Sequence, residues 1–446
     1  MNKTKMRWFI LLPGLAMSLG WVIRGMVGHW TGAMIPGTFL AMALCILLQG
    51  KQIARGLVIA LTAVSFGFGA QMTTVQTARM VLGPEVFHYP VPPTATFGYI
   101  GLAIKGALWA LFAGACLGLA LTASRYRRKD IILALIFMVA SFYAGWALIN
   151  RPKLLYFSAD RPEIWAGLVF GAIALLTWLT IRGHTRIPLM LALCGAAAGG
   201  IGYPIGVALA SIGMHSSYVG RWYDWWTVAE TTFGAFMGVG LGIGTYLLKD
   251  ELPEAGEFKD PVAEAGFSAW GVILGLVIGA LWTALYGGIP WIILGPILLC
   301  IAFYSSKAAW HIGITLTYCG GAANIVVYWH QKQGLGNAAT LWVLVGLATL
   351  VVSWKVTTWW GKTDKAVARN AFAFVLWAIL ILSYLIINRA VLVAPPQAVA
   401  AAGGRWLYTV ETWSGGLVVD AISTVAALAL TWMAYQTSRL QESPGR

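Results

Sequence analysis

The sequence predicts an all-α fold, a polytopic integral membrane bundle of about fourteen transmembrane helices. Three observations predict it. The 446-residue chain is 59% hydrophobic and only 10% charged, with a mean hydropathy of +0.75. That much apolar surface needs a bilayer as its solvent, where each helical span takes about 20 apolar residues. Apolar runs of that length follow one another along the chain, broken by short polar loops. The lysines and arginines fall mostly in alternate loops, as in a protein threaded back and forth across a membrane.

Taken in order, the apolar runs place spans at 7–26, 33–49, 54–80, 96–122, 131–149, 163–181, 187–213, 227–248, 267–286, 289–304, 309–329, 337–354, 371–390 and 409–435. The first run, "MNKTKMRWFILLPGLAMSLGW", is basic and then apolar like a signal peptide. It lacks an A-x-A cleavage site and is followed at once by further spans, so it reads as an uncleaved first helix. With the N-terminus inside, every internal loop holds a basic residue, as in Lys51 and Arg55 or Arg125, Arg127, Arg128 and Lys129. The expected location is therefore a cell's inner (plasma) membrane, multi-pass, with both termini cytoplasmic. The alternative is a bundle of about twelve spans, in which the short runs within 267–304 are re-entrant.

One internal loop differs from the rest. "KDELPEAGEFKDPVAEAG" (249–266) is acidic, polar and holds two prolines. It divides the chain into an N-terminal bundle at 1–248 and a C-terminal bundle at 267–446, with 249–266 as the linker. Short strings also echo across the chain. "INR" closes the fifth and thirteenth spans (149–151 and 387–389), and "AETTFG" (229–234) resembles "VETWSG" (410–415). Weak self-similarity of this kind accompanies internally repeated helix bundles.

Several function classes are excluded or weakened by composition. The formal charge of +14 and pI of about 9.6 do not mark a nucleic-acid binder, because the basic residues lie in short loops and not in one basic domain. Cys45, Cys116, Cys194, Cys300 and Cys319 all fall inside apolar runs without a C-x-x-C partner, and read as small core residues. The six histidines show no H-E-x-x-H spacing. Neither a metal nor another cofactor is expected.

Charges inside spans are the strongest functional lead, because each costs about 2.5–3.5 kcal/mol at mid-bilayer unless paired or wetted. Lys105 and Asp420 lie roughly 13–17 Å along their helices from the outer surface. Their equal depth and opposite sign suggest a mutual pair and a central coupling site, or else a static ion pair. Gln71, Thr73, Thr74 and Thr77 in the third span and Asn324 in the eleventh are further polar residues at depth. They would suit a hydroxyl-rich ligand or a Na⁺, although buried threonines often bond only to their own helix.

Arg24, Arg79, Arg151 and Arg389 stand at the outer ends of four spans, the side the topology rule depletes. They either anchor at lipid phosphate or form an electropositive vestibule, where a guanidinium can fork a carboxylate. Trp226 and other tryptophans crowd the same side. Arg24, Arg79, Gln71, Thr73, Thr77, Asn324 and Trp226 are the expected substrate-binding residues. Glu230, Glu411, Arg151 and Arg389 are the expected outer gate.

Glu230 poses a sharper question. Thr227-x-x-Glu230 has the spacing of a capping box at a helix start. Yet Glu230 also leads the series Gly234, Gly238, Gly242, a small-residue face made for close approach to another helix. An arginine partner would favour a gate, whereas only Thr227 and backbone would favour a cap.

The functional expectation is a secondary active carrier for a small polar or anionic organic solute, such as a sugar acid, coupled to H⁺ or Na⁺ by alternating access. Its partners would be the lipid bilayer, the solute and the ion. The alternatives are an integral membrane enzyme of envelope lipid or glycan chemistry, with a histidine working beside Glu230 or Glu411, and a structural subunit of a membrane complex.

Overall fold

The computed structural model describes residues 3–27, 32–70, 72, 74–83, 95–158, 162–216, 225–252, 365–393 and 410–442, with the single positions 270, 273 and 351. Among them the chain is helical, without a strand. The helices are α1 (Lys3–Val27), α2 (Met34–Leu47), α3 (Arg55–Gly69), α4 (Thr74–Leu82), α5 (Ala95–Leu121), α6 (Arg128–Gly145), α7 (Trp165–Gly183), α8 (Ile187–Met214), α9 (Trp225–Leu248), α10 (Lys365–Val393) and α11 (Val410–Glu442). Among the described residues seven helices are long and apolar enough to cross a membrane, and α3 with α4 makes an eighth if that bent pair is one span. Each expected span that falls on described residues coincides with a helix or with that pair. The expected spans between 267 and 354 lie outside the described residues, and the count of about fourteen remains an expectation.

Two elements differ from a simple span. The third expected span is broken: α3 and α4 meet at an angle of 54°. The sequence there is "GFGAQMTT", whose glycines and polar residues weaken helix continuity exactly where an unbroken run was expected. Helix α2 is 14 residues long, and all of them are buried. At 1.5 Å per residue it reaches only about 21 Å, short of a bilayer core. It is a core helix covered on all sides, consistent with its apolar content.

Helices α1, α9, α8, α5, α3 and α2 are successive neighbours that close into a ring, α2 returning to α1. Helix α4 packs on α5 and α8, the α6–α7 hairpin joins through α7, and α10 and α11 pack on α1 and α2. The small-residue faces foreseen in the sequence form the tightest seams of this ring. A Cβ on Gly234 would lie 2.4 Å from the Trp21 ring, one on Gly238 2.3 Å from the Pro13 carbonyl oxygen, and one on Gly242 only 1.9 Å from the Phe9 carbonyl oxygen. Pro13 has no N–H to give the Phe9 carbonyl, so Gly242 approaches an acceptor whose helical donor is missing. The antiparallel α5–α8 seam is built the same way. Gly106 and Gly199 face each other's carbonyls at 2.4 and 2.3 Å from the added Cβ, and Gly114 and Gly118 lie against Leu191 and Pro188. Lipid tails give helices no hydrophobic drive to associate, so this close contact supplies the dispersion that holds the ring.

At one end of the helices, Arg182 donates two hydrogen bonds to Asp130 Oδ1 at 2.9 and 3.1 Å, joining the ends of α6 and α7. Arg186 pairs with Glu251 at 2.7 Å, and Lys51 Nζ donates to the Leu252 carbonyl at 3.3 Å. The first residues of the expected linker are thus tied to the first bundle. The rest of that linker lies outside the described residues.

Candidate functional site

At the centre of the ring, α1, α5, α8 and α9 each contribute an aromatic side chain. Trp21 lies 5.0 Å from Trp109 and 5.5 Å from Phe233, and Tyr203 stacks on Phe233 at 4.3 Å. Space for Trp109 comes from Gly69, the last residue of α3, where any Cβ would fall 2.2 Å from the indole. The Trp109 Nε1–H donates to the Phe66 carbonyl at 2.9 Å. The aromatic cluster is therefore fastened to the helix that ends at the break.

An ion pair lies on each side of this cluster. On one side the Arg24 guanidinium of α1 binds the Glu230 carboxylate of α9. Trp226 Nε1 donates to the same Glu230 oxygen at 3.0 Å, one helical turn earlier. Gly25, next to Arg24, admits the carboxylate, because a Cβ there would meet Glu230 Oε2 at 2.9 Å. Helix α9 begins at Trp225, so Thr227 is already inside it and Glu230 sits in its second turn. The capping-box expectation is corrected accordingly: Thr227 is too late in the helix to cap it, and Glu230 spends its charge on an arginine of another helix.

On the other side Lys105 is fully buried, 1% exposed. Its ammonium donates to Thr77 Oγ1 at 2.6 Å, Ser158 Oγ at 3.0 Å and Glu163 Oε1 at 2.6 Å. The second carboxylate oxygen, Glu163 Oε2, accepts the Phe157 N–H at 2.8 Å. Ser158 also donates to Glu163 Oε1 at 2.9 Å. Glu163 stands just before α7, where the positive end of the helix dipole favours a carboxylate. The same helix start is closed by Asn150, whose Oδ1 accepts the Ala166 and Gly167 N–H groups at 3.1 and 3.2 Å. A π-helical turn at Trp146–Asn150 ends α6 and delivers Asn150 there.

Helix α4, the second piece of the broken span, connects the two sides. Thr77 contacts Lys105, and one turn earlier Thr74 lies within hydrogen-bonding reach of the Tyr203 hydroxyl. The expected pairing of Lys105 with Asp420 is corrected: the carboxylate beside Lys105 is Glu163. Asp420 belongs to α11, which packs on α1, α2 and α10, and its backbone carbonyl accepts the Tyr384 hydroxyl at 2.8 Å. Depth alone matched Lys105 to Asp420, and depth says nothing about which helices are neighbours.

Of the other expected site residues, Arg79 is half-buried in the last turn of α4 and Arg151 is exposed after the π turn. Gln71, Thr73 and Asn324 lie outside the described residues, as do the side chains of Glu411 and Arg389. His215, a candidate partner for an acid, shares a 2.7 Å hydrogen bond with the Ser211 carbonyl of its own helix.

Sequence reasoning missed Glu163, Ser158 and the central aromatics. A signal for Glu163 was present. Gly-x-x-Ile-(Arg or Lys)-Gly occurs at 20–25 around Arg24 and again at 101–106 around Lys105, while Glu-x-x-x-Gly occurs at 230–234, 411–415 and 163–167. The cation string that pairs with Glu230 thus has a twin, and so does the acid string. For Ser158 and the aromatics no comparable pattern stands out among the many Trp, Phe and Tyr residues of a membrane chain.

Two donors beside the aromatic cluster have no acceptor among the described residues. They are the buried atoms Trp21 Nε1 and Arg24 Nε. The Arg24 guanidinium carbon lies 5.5 Å from the Trp21 ring centroid, so the two donors are neighbours on α1. Buried donors are normally satisfied, and an unsatisfied one costs about 1–3 kcal/mol.

No family model matches the chain, and no curated protein matches it either. Among solved structures, it is similar to MhsT in complex with L-phenylalanine, at 16% identity and a TM-score of 0.20 over 97% of this chain and 90% of that one.

Proposed function

We propose that the protein is a secondary active carrier of a small organic anion, a sugar acid being the class that best suits the site. The observation that carries this reading is the pair of buried donors without an acceptor among the described residues, Trp21 Nε1 and Arg24 Nε, beside the Trp21–Trp109–Tyr203–Phe233 cluster. Donors without acceptors suit a carboxylate, and aromatic faces suit the apolar face of a sugar ring. The break between α3 and α4 supports movement at the same place. Discontinuous helices at the membrane midplane let a carrier open to one side and then the other without unfolding the rest of the bundle.

In this reading Arg24 holds the solute carboxylate, Glu230 and Trp226 orient Arg24, and Thr74 and Tyr203 contact the solute from the far side. Asp420, Gln71, Thr73, Asn324, Arg79, Glu411, Arg151 and Arg389 keep their proposed places in the central path or outer gate. The orientation has both termini on the cytoplasmic side of the inner membrane. Transport is driven by a cation gradient.

The test is counterflow in proteoliposomes loaded with single members of a panel of aldonates, uronates, neutral sugars and amino acids. Accumulation of one labelled organic acid, lost in Arg24→Gln, is the expected result. Equal flux of the whole panel through wild type and variant, or no flux of any acid, refutes the proposal.

A further inference from the structure

The Lys105 pocket has the makeup of a monovalent-cation site. Two hydroxyl oxygens and one carboxylate oxygen, from two separate segments of chain, converge on a single point essentially closed to solvent. Thr77 comes from the second piece of the broken span, Ser158 and Glu163 from the segment before α7. Oxygen donors beside a helix break are the chemistry that holds a Na⁺ within a membrane. The ammonium has three N–H donors, and the three oxygens take them. The Lys105 and Glu163 charges cancel with the ammonium in place. One alkali cation in place of the ammonium would cancel the Glu163 charge equally.

We infer that Lys105 is a built-in substitute for a coupling cation: its ammonium fills a Na⁺-type site made by Thr77, Ser158 and Glu163, and the protein therefore works independently of Na⁺. The inference deepens the carrier reading and rests on it for the word coupling; the occupancy of the pocket does not depend on it. Of the two cations weighed from the sequence, it removes Na⁺ and leaves H⁺.

Length of the side chain at position 105 separates this from a purely structural ion pair. Lys105→Ala removes the ammonium and its stem, which leaves room for a hydrated alkali cation beside Glu163. Lys105→Met removes only the charge, and its terminal methyl occupies the stem's space and blocks a cation. The experiment is thermal unfolding of purified full-length protein in detergent, in matched solutions of NaCl, KCl and choline chloride. Wild type is expected to give one Tm in all three. Lys105→Ala is expected to gain at least about 3 °C in Na⁺ over choline, as a ligand that binds only the native state must produce. Lys105→Met and the double variant Lys105→Ala/Glu163→Gln are expected to show no gain.

A Na⁺-selective Tm rise in wild type overturns the inference. So does a Lys105→Ala protein that is indifferent to the cation, or one that is lost from the membrane fraction equally in Na⁺ and choline media. The readout needs no transport. A Na⁺ response in Lys105→Ala together with a failed counterflow panel would leave the cation site standing and remove the carrier reading alone.

Discussion

Arg24 and Glu230 lie 206 residues apart in the chain and form one ion pair across the α1–α9 seam. The pairing is possible because Gly25 on one helix and Gly234 on the other hold the two axes close. The Glu230 side chain is 6% exposed and that of Arg24 19%, so the pair is largely out of water. In such a setting, loss of one partner strands the other's charge, whereas loss of both does not.

Glu230→Gln should therefore destabilise the protein by about 3 kcal/mol. The double variant Arg24→Met/Glu230→Leu should recover most of that loss while remaining unable to bind solute. Thermal unfolding of Arg24→Met, Glu230→Leu and the double variant gives the coupling directly. Additive effects would show that Glu230 does not depend on Arg24.

The Lys105–Glu163 pair predicts a larger effect, because both side chains are essentially inaccessible, 1% and 0% exposed. Glu163→Gln keeps one acceptor oxygen, enough for Ser158 or for the Phe157 N–H but not both, and strands the ammonium. A loss of about 3–5 kcal/mol is expected, with Lys105→Met/Glu163→Gln closer to wild type than either single change. Hydrogen exchange at the start of α7 should rise in Glu163→Gln and fall back in the double.

Helix seams can be tested at two glycines of opposite surroundings. Gly242→Leu would drive a side chain into the Phe9 carbonyl, whereas a Cβ at Gly50 meets nothing within 4 Å. The first change should abolish monodisperse protein in detergent. Gly50→Ala should leave its elution profile and Tm within experimental error. A well-behaved Gly242→Leu protein would disprove the described α1–α9 contact.

Asn150 makes a smaller, local prediction. Its Oδ1 accepts two N–H groups at the start of α7. Asn150→Ala removes both bonds and should cost about 1–2 kcal/mol, the ordinary worth of a helix N-cap. Asn150→Asp keeps the acceptor and adds a negative charge at the positive helix end, so its Tm should lie above that of Asn150→Ala.

Much of the architecture was already written in the sequence. Apolar runs mark where helices form, because a bilayer forces every backbone N–H and C=O to find a partner within its own helix. Glycines spaced by four mark which faces pack, and Gly234, Gly238 and Gly242 do face another helix. Sequence also singles out Lys105 and Asp420, since a charge in an apolar run has to be accounted for.

Partners were decided only by the tertiary structure. Lys105 was matched by depth to Asp420, yet helix order around the ring sets it beside Glu163, a residue that looked like part of a loop. Glu230 matched a capping box by spacing, yet α9 starts early enough to turn it toward Arg24. The break at "GFGAQMTT" was read as a continuous span because hydropathy averages over a turn or two and cannot see a bend. Periodicity and hydropathy are properties of one segment at a time. Which charge neutralises which depends on contacts between segments hundreds of residues apart, and those exist only once the ring has closed.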